Sequence, residues 1–381
     1  MRIVVAPDSF KECLSAMEVA KAIAAGVQQV LAQADVVCIP MADGGEGSLD
    51  AVLAATGGQQ KKLLVHNANG QPCKASWGWL GEGRAFIEMA SAAGLEQIPP
   101  SERKPLQATS YGVGQLIQAA VNAGARHIVL GLGGSATNDG GAGLLQALGV
   151  RLLDAQGQDL PGGGAALQQL DRIVLDGIDP SLREVQFEIA VDVDNPLCGP
   201  RGASAIFGPQ KGATPEDVAT LDAALTHFAD VCTRQFGQDN RNISGMGAAG
   251  GLGFAVKTCF QASFRPGVDL VAELSGLEEA LEGAELVFTG EGRMDAQTLL
   301  GKTPAGVARC ASRRGIPVIA LAGSLGDGYE ALYEVGITAA FSLAPGPISL
   351  EQAYAQAGEY LRQRASDCTR AWLAGAKASL R

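Results

Sequence analysis

Short, nearly continuous apolar runs alternate along this chain with longer stretches whose apolar residues recur at helical spacing. "RIVVA" (2–6) reads as a buried strand, and "SAMEVAKAIAAGVQQVL" (15–31) as an amphipathic helix capped by Ser15. "DVVCIP" (35–40) predicts a second strand and "LDAVLAATGG" (49–58) a second helix, the alternation of a parallel α/β sheet. From about residue 60 the pattern changes. "CKASWGWL" (73–80) has period two and places Cys73, Ala75, Trp77 and Trp79 on one face; "GEGR" (81–84) turns into "AFIEMA" (85–90), so a hairpin is expected. A second α/β passage follows, with a helix over 112–125, the strand "HIVLGL" (127–132), the strand "VQFEIAVDV" (185–193) and a helix over 215–236. The last hundred residues return to the first pattern: strand 284–290, helix 303–315, strand 317–323, helix 328–336, strand 338–343 and a long final helix.

Neither end of the chain supplies a full sheet alone. The expected fold is therefore α/β with two α/β domains. A doubly wound, Rossmann-like parallel-sheet domain is formed by both chain ends (1–68 and 283–381), and a mixed α/β domain (69–282) is inserted between them.

Composition narrows the function. Over 381 residues the formal charge is −11, which argues against a nucleic-acid partner. No apolar run is long enough for a membrane span. The eight cysteines are scattered with no CxxC pair, and no signal peptide is evident, so a reducing, cytoplasmic setting is expected. The three histidines lie far apart, which disfavours a histidine zinc site. Glycine is abundant at 51 residues, and it clusters in short loops after the apolar runs.

Those loops carry the chemistry, because open parallel sheets bind ligands beyond the carboxyl ends of their strands. Asp8, Ser9 and Lys11 follow the first strand; Asp43 and Glu46 follow the second. "GLGGSATNDGG" (131–141) closes the strand that begins at His127; Asp192 and Asp194 end another, and Glu291, Arg293 and Asp295 follow "ELVFTG". Asp and Gly are ordinary turn formers, but acids at five successive strand ends exceed that explanation. Period two would put Asp192 and Asp194 on one side of their strand, able to hold Mg²⁺ or share acid–base work. Lys11 and Arg293 could neutralise a carboxylate or a transferring phosphoryl group. "LLGKTP" is no P-loop, since position 296 is Ala where glycine is required; Thr303 as N-cap with Pro304 behind it explains the run, and a phosphate contact by Lys302 stays open. "GMGAAG" (245–250) follows no strand and is a weak nucleotide signal. "GLGGSA" (131–136), with Asp154 about twenty residues on, supports a rival reading as an NAD(P)-dependent oxidoreductase of a small hydroxy acid. The "TND" that lengthens this loop argues against it. A non-catalytic sugar-acid binding protein is a third reading, poorly matched by the excess of acids in the loops.

Together "APDSFKECLSAMEVA", "ADGGEGS", "GLGGSATNDGGAG", "AVDVDNPLCGPRGASAIFGPQKGA", "GMGAAGGLG" and "TGEGRMDAQTLLGKTP" resemble the bacterial glycerate kinases over the whole chain. The resemblance implies two α/β domains with an active site in the cleft between them. It also implies transfer of phosphate from ATP to D-glycerate with Mg²⁺, giving 2-phosphoglycerate more often than 3-phosphoglycerate, in glyoxylate and sugar-acid catabolism. On that footing Gly133, Gly134, Ser135, Thr137, Asn138, Gly140 and Lys302 are expected to bind nucleotide phosphate, the helix start after residue 141 favouring anions. Arg293, ahead of Lys11, is expected to grip the glycerate carboxylate, and Asp192 to accept the hydroxyl proton. Asp8, Ser9 and Asp295 are candidates for the substrate hydroxyls, and Asp194, Asp43, Glu291 and Asp139 for Mg²⁺. Oligomeric state stays open, with a homodimer as one candidate assembly.

Overall fold

The computed structural model describes residues 1–299 and 301–378. Its strands are β1 (Arg2–Val5), β2 (Asp35–Cys38), β3 (Gln59–His66), β4 (Pro72–Gly81), β5 (Arg84–Glu88), β6 (His127–Gly131), β7 (Arg151–Leu153), β8 (Arg172–Val174), β9 (Gln186–Ala190), β10 (Ser263–Arg265), β11 (Ala284–Met294), β12 (Val318–Leu325) and β13 (Ala339–Ser342). The chain divides into two compact units, one of Met1–Asp43, Asp50–Gly57 and Pro266–Arg381, the other of Gly44–Leu49 and Gly58–Arg265.

In the first unit five parallel strands run in the order β13-β12-β11-β1-β2. Ile3, Val4 and Val5 of β1 are fully buried, as are Leu286, Val287 and Phe288 of β11, which is why these strands read as unbroken apolar runs. Helix Ala16–Val30 starts on a capping box. Ser15 Oγ accepts from Glu18 N–H at 3.3 Å while Glu18 Oε2 accepts from Ser15 N–H at 2.8 Å, worth about 1 kcal/mol. Val19, Ala20, Ile23 and Val27 on its inner face pack with Leu361 and Ala365 of helix Ala357–Ala378 in one core. Strand order reverses between β1 and β11: later strands extend one way from this pair and β2 the other. That is the switch point at which a doubly wound sheet opens a crevice.

The second unit holds a six-stranded sheet, β10-β9-β6-β5-β4-β3, parallel from β10 to β5 and antiparallel across β5-β4-β3, and a small β7-β8 pair. The expected hairpin is present, with Glu82 and Gly83 at positive φ in its turn. Trp77, Leu116, Ile128, Phe187 and Phe228 share the core.

Several expectations need correction. The boundary at 68 falls too late, because β3 pairs with β4 in the second sheet. The boundary at 283 is also too late, since the first unit resumes at Pro266 and Val268 packs under Gly306 of helix Thr303–Ser312. The strand expected over 185–193 stops at Ala190, because both neighbours end opposite it: Gly131 of β6 and Arg265 of β10. Conversely β11 runs on to Met294, since β12 accompanies it through Arg293↔Ser324 and Met294↔Leu325. The stretch 328–336 is 3₁₀ rather than α-helical, and the final helix is broken into Leu350–Ala355 and Ala357–Ala378. All eight cysteines are free. Among the described residues no helix is long and apolar enough to cross a membrane.

Candidate active site

At the switch point of the first sheet, the chain leaving β1 is tied to β11. Ala6 N–H donates to Phe288 O at 2.7 Å, Asp8 N–H to Gly290 O at 2.8 Å, and Thr289 Oγ1 to Ala6 O at 2.8 Å. Gly290 is required here, because a Cβ at that position would stand 2.0 Å from Leu321 O of β12. These bonds fix the Asp8 carboxylate. Oδ1 accepts from Ser9 N–H at 2.6 Å and Oδ2 from Thr303 Oγ1 at 2.5 Å. Burial, then the neighbouring Asp43 carboxylate and, more weakly, Glu291 push Asp8 up to about 7 against the two hydrogen bonds. Thr303 is thus not the N-cap. Lys302 occupies that position without a side-chain cap bond, and the Thr303 hydroxyl is spent on Asp8.

Glu291 lies within β11 rather than in a loop and is buried, its Oε1 accepting from Thr298 Oγ1 at 2.6 Å and its Oε2 lying 3.6 Å from Lys302 Nζ. Burial raises its pKa, and Asp43 adds to the rise. The Asp43 carboxylate thus bears on both Asp8 and Glu291, disfavouring the ionised form of each. Arg293, also on β11, is 69% exposed and holds Asp295 at 3.2 Å, leaving guanidinium donors facing solvent. Lys11 is exposed in the turn closed by the Phe10–Leu14 pairing.

The glycine-rich loop after β6 behaves differently from expectation. Ser135, Thr137, Asn138 and Asp139 are all buried. Gly133 lies so close to the "ADGGEGS" turn that a Cβ on it would be 2.5 Å from Gly45 Cα. Asp139, expected to face a cation, faces the loop itself. Its carboxylate accepts from Ser110 N–H and Ser110 Oγ, both at 2.8 Å, from Gly141 N–H at 3.1 Å and from Gly143 N–H at 3.2 Å. The start of helix Ala142–Ala147 thus already holds an anion, so the expected attraction of phosphate to that helix start is corrected. Asn138 Nδ2 donates to Ser204 Oγ at 2.8 Å, while Gly140 packs against Phe228; neither reaches the surface. Of the expected phosphate contacts in this loop, Gly134 is exposed, Gly133 is half-buried and Ser135 borders them.

Opposite this loop stands a residue the sequence reading passed over. Lys211 is buried, and its Nζ donates to Ser135 Oγ at 2.8 Å and to Thr137 O at 2.7 Å. Burial pushes it down to about 7, and Asp139 acts against that fall. The signal was "FGPQKGA": Pro209 opens a 3₁₀ turn and Gly212, at φ +91°, closes it, which aims one lysine inward.

Asp192 and Asp194 lie beyond the end of β9, so strand periodicity does not align them. Asp194 is 77% exposed and paired with Arg201 at 3.1 Å. Asp154, the carboxylate required by the oxidoreductase reading, closes its own turn by accepting from Gln156 and Gln158 N–H at 2.9 and 2.8 Å.

Comparison with known proteins agrees with the resemblance. The profile of the Glycerate kinase family matches residues 3–373. The glycerate kinase of Bacillus subtilis (strain 168) is 49% identical over 368 residues, covering 96% of each chain. The glycerate 2-kinase of Escherichia coli (strain K12) is 46% identical over 355 residues, covering 93% of each. A crystal structure from Salmonella typhimurium LT2, provisionally assigned as a glycerate kinase 2, superposes with a TM-score of 0.90 at 47% identity and 99% coverage of both chains. The chain belongs to the glycerate kinase family.

Proposed function

We propose that this chain transfers the γ-phosphoryl group of ATP to the 2-hydroxyl of D-glycerate. Family membership and the relative described as a glycerate 2-kinase support that reading. The observation that carries the site is Asp8: a carboxyl fixed at the strand-order reversal and pushed up to about 7, where a general base works best. Asp8 takes the proton of the attacking hydroxyl, a role first expected of Asp192. The change follows from the early end of β9, which removes the geometric argument for Asp192. Arg293 binds the glycerate carboxylate through donors not engaged by Asp295, with Lys11 as the second cation and Ser9 beside the hydroxyls.

Asp43 and Glu291 fit a divalent cation, because two carboxylates crowded with a third favour a positive partner. Among the described residues no group of three or more His, Cys, Asp or Glu could hold a metal alone. Mg²⁺ commonly rests on one or two carboxylates and completes its shell with phosphate oxygens and water. When bound it supplies positive charge against the transferring phosphoryl group. Asp139 and Asp194 are not carried forward as ligands, being respectively turned inward and paired at the surface. Lys302 offsets the Glu291 charge. In the second unit, Gly133 and Gly134 N–H and the Ser135 hydroxyl are the loop donors offered to nucleotide phosphate.

The test compares Asp8→Asn with Asp192→Asn in an ATP, Mg²⁺ and D-glycerate assay. Asp8→Asn should lower kcat by roughly 10²–10⁴-fold, the usual contribution of a general base, with Asp192→Asn much less affected. The reverse order would return the base to Asp192. Phosphorus NMR of the product reads the regiochemistry: 3-phosphoglycerate would overturn the O2 assignment, and no transfer would overturn the activity.

A further inference from the structure

We infer that Lys211 is a positioning residue of the loop over residues 131–141, fixing the Ser135 hydroxyl so that its proton is directed to a phosphate oxygen of bound nucleotide. This rests on the reading that the loop takes nucleotide phosphate. The argument begins with donor direction. In its charged form, which the nearby Asp139 favours, Lys211 can only donate, so the 2.8 Å contact then makes Ser135 Oγ the acceptor. A serine hydroxyl has one proton to give. With Lys211 occupying a lone pair of Ser135, that proton points elsewhere, and the bond from Lys211 is the one side-chain hydrogen bond of Ser135 among the described residues. Ser135 stands at the only part of the loop that approaches solvent, next to exposed Gly134.

The same Nζ also holds Thr137 O at 2.7 Å, so one cation clasps the chain on both sides of Ala136. The loop backbone is tied from the other flank, Ala136 N–H donating to Ala93 O at 2.9 Å and Leu95 N–H to Gly134 O at 2.8 Å. Lys211 is itself held, its N–H donating to Gly208 O at 2.9 Å while Arg103 donates to Gln210 O at 2.9 Å. A buried lysine whose ammonium has, among the described residues, a hydroxyl and a carbonyl as its direct partners is costly for packing alone. A bound phosphate would join Asp139 in favouring its charged form. Lys211 is not assigned to touch the nucleotide; it acts through Ser135.

The experiment is a double-mutant cycle read as KM for ATP, KM for D-glycerate and kcat. Ser135→Ala should raise KM for ATP on the order of ten- to hundredfold, the worth of a hydrogen bond to a charged group, with KM for D-glycerate little changed. Lys211→Gln and Lys211→Met should do the same. Combining either with Ser135→Ala should add little, because both remove one interaction. Lys211→Arg, which keeps a buried donor, should recover part of the loss. A Lys211 variant with native KM for ATP, or full multiplicativity in the double variant, overturns the inference while leaving the loop reading intact. An unchanged KM for ATP in Ser135→Ala overturns the loop reading itself. If Lys211→Met does not fold, Lys211→Gln and Lys211→Arg carry the same comparison. Loss of thermal stability with native KM for ATP in those variants marks Lys211 as structural only and refutes the proposal.

Discussion

Replacing Asp8 by asparagine should separate stability from activity along the pH axis. In the folded chain Asp8 titrates at about 7 rather than near its ordinary 3.8. Between those values the native state holds a proton that the unfolded chain has already released. Stability therefore falls as pH rises through this window, is undiminished below it and stays reduced above about pH 7. At about 1.4 kcal/mol per pH unit the whole interval corresponds to at most about 4 kcal/mol. An edge of Asp8 remains open to solvent, so screening brings the expected figure nearer about 2 kcal/mol. Asparagine cannot ionise, yet its carbonyl can still accept from Ser9 N–H and its amide can donate to Thr303 Oγ1. The assay is urea unfolding in EDTA at about pH 5 and about pH 8, followed by the emission of Trp372, which packs on the first unit's core. Trp77 and Trp79, the only other tryptophans, are replaced by phenylalanine in both proteins. Because the comparison starts at about pH 5, it samples roughly two-thirds of that interval, so the native side chain should lose about 1 kcal/mol more than the variant between the two conditions, leaving the variant the more stable at the higher pH. Equal pH dependence in both proteins would refute the burial of charge at Asp8.

Three further outcomes follow from the same geometry. Thr303→Val removes the donor that holds Asp8 down, so the acid limb of the kcat/KM profile should move up by roughly one pH unit; an unmoved limb excludes Asp8 as the titrating base. Asp139→Asn sets an amide against N–H donors in a fully buried site and leaves Lys211 without its nearby charge. The cost should be about 2–4 kcal/mol, read in the second unit through Trp77, and a loss below about 0.5 kcal/mol would show that the carboxylate is not the loop's anchor. Arg293→Lys should raise KM for D-glycerate and leave KM for ATP alone, because an ammonium cannot offer the planar fork; movement of only the ATP value would place Arg293 on the nucleotide side.

Much of the scaffold was legible because local signals and the global fold agree. Helix Pro215–Phe236 carries both its capping box at Thr214 and its terminating Gly237 at positive φ, so its limits could be read from the residues alone. Ser15 announced the first helix in the same way. Strand ends were less legible, since a strand continues only where a neighbour does. Asp192 looked strand-borne because the alternation runs to Val193, yet both partners of β9 end opposite Ala190. Glu291 and Arg293 looked loop-borne because of their glycines, yet β12 runs alongside and Gly290 admits its backbone at Leu321.

The site divides along the same line. That Asp8 and Glu291 come near one another was legible because strand-end acids in an open parallel sheet need only strand order to become neighbours, and β1 beside β11 provides it. The loop over 131–141 was misread in part because a run of donors and one acid looks identical whether it serves a ligand or its own backbone. What decides is the number of internal donors within reach of the acid. Asp139 finds Ser110, Gly141 and Gly143, residues whose convergence no spacing reveals. Lys211 escaped notice for the complementary reason. A single lysine in a turn is normally a solvated surface charge, and only the fold shows that its ammonium enters the protein, where Asp139 is the buried charge that makes its presence tolerable. The buried pair thus accounts for a loop whose backbone is gathered around Asp139 while the Ser135 hydroxyl, held by Lys211, keeps its proton available at the open end.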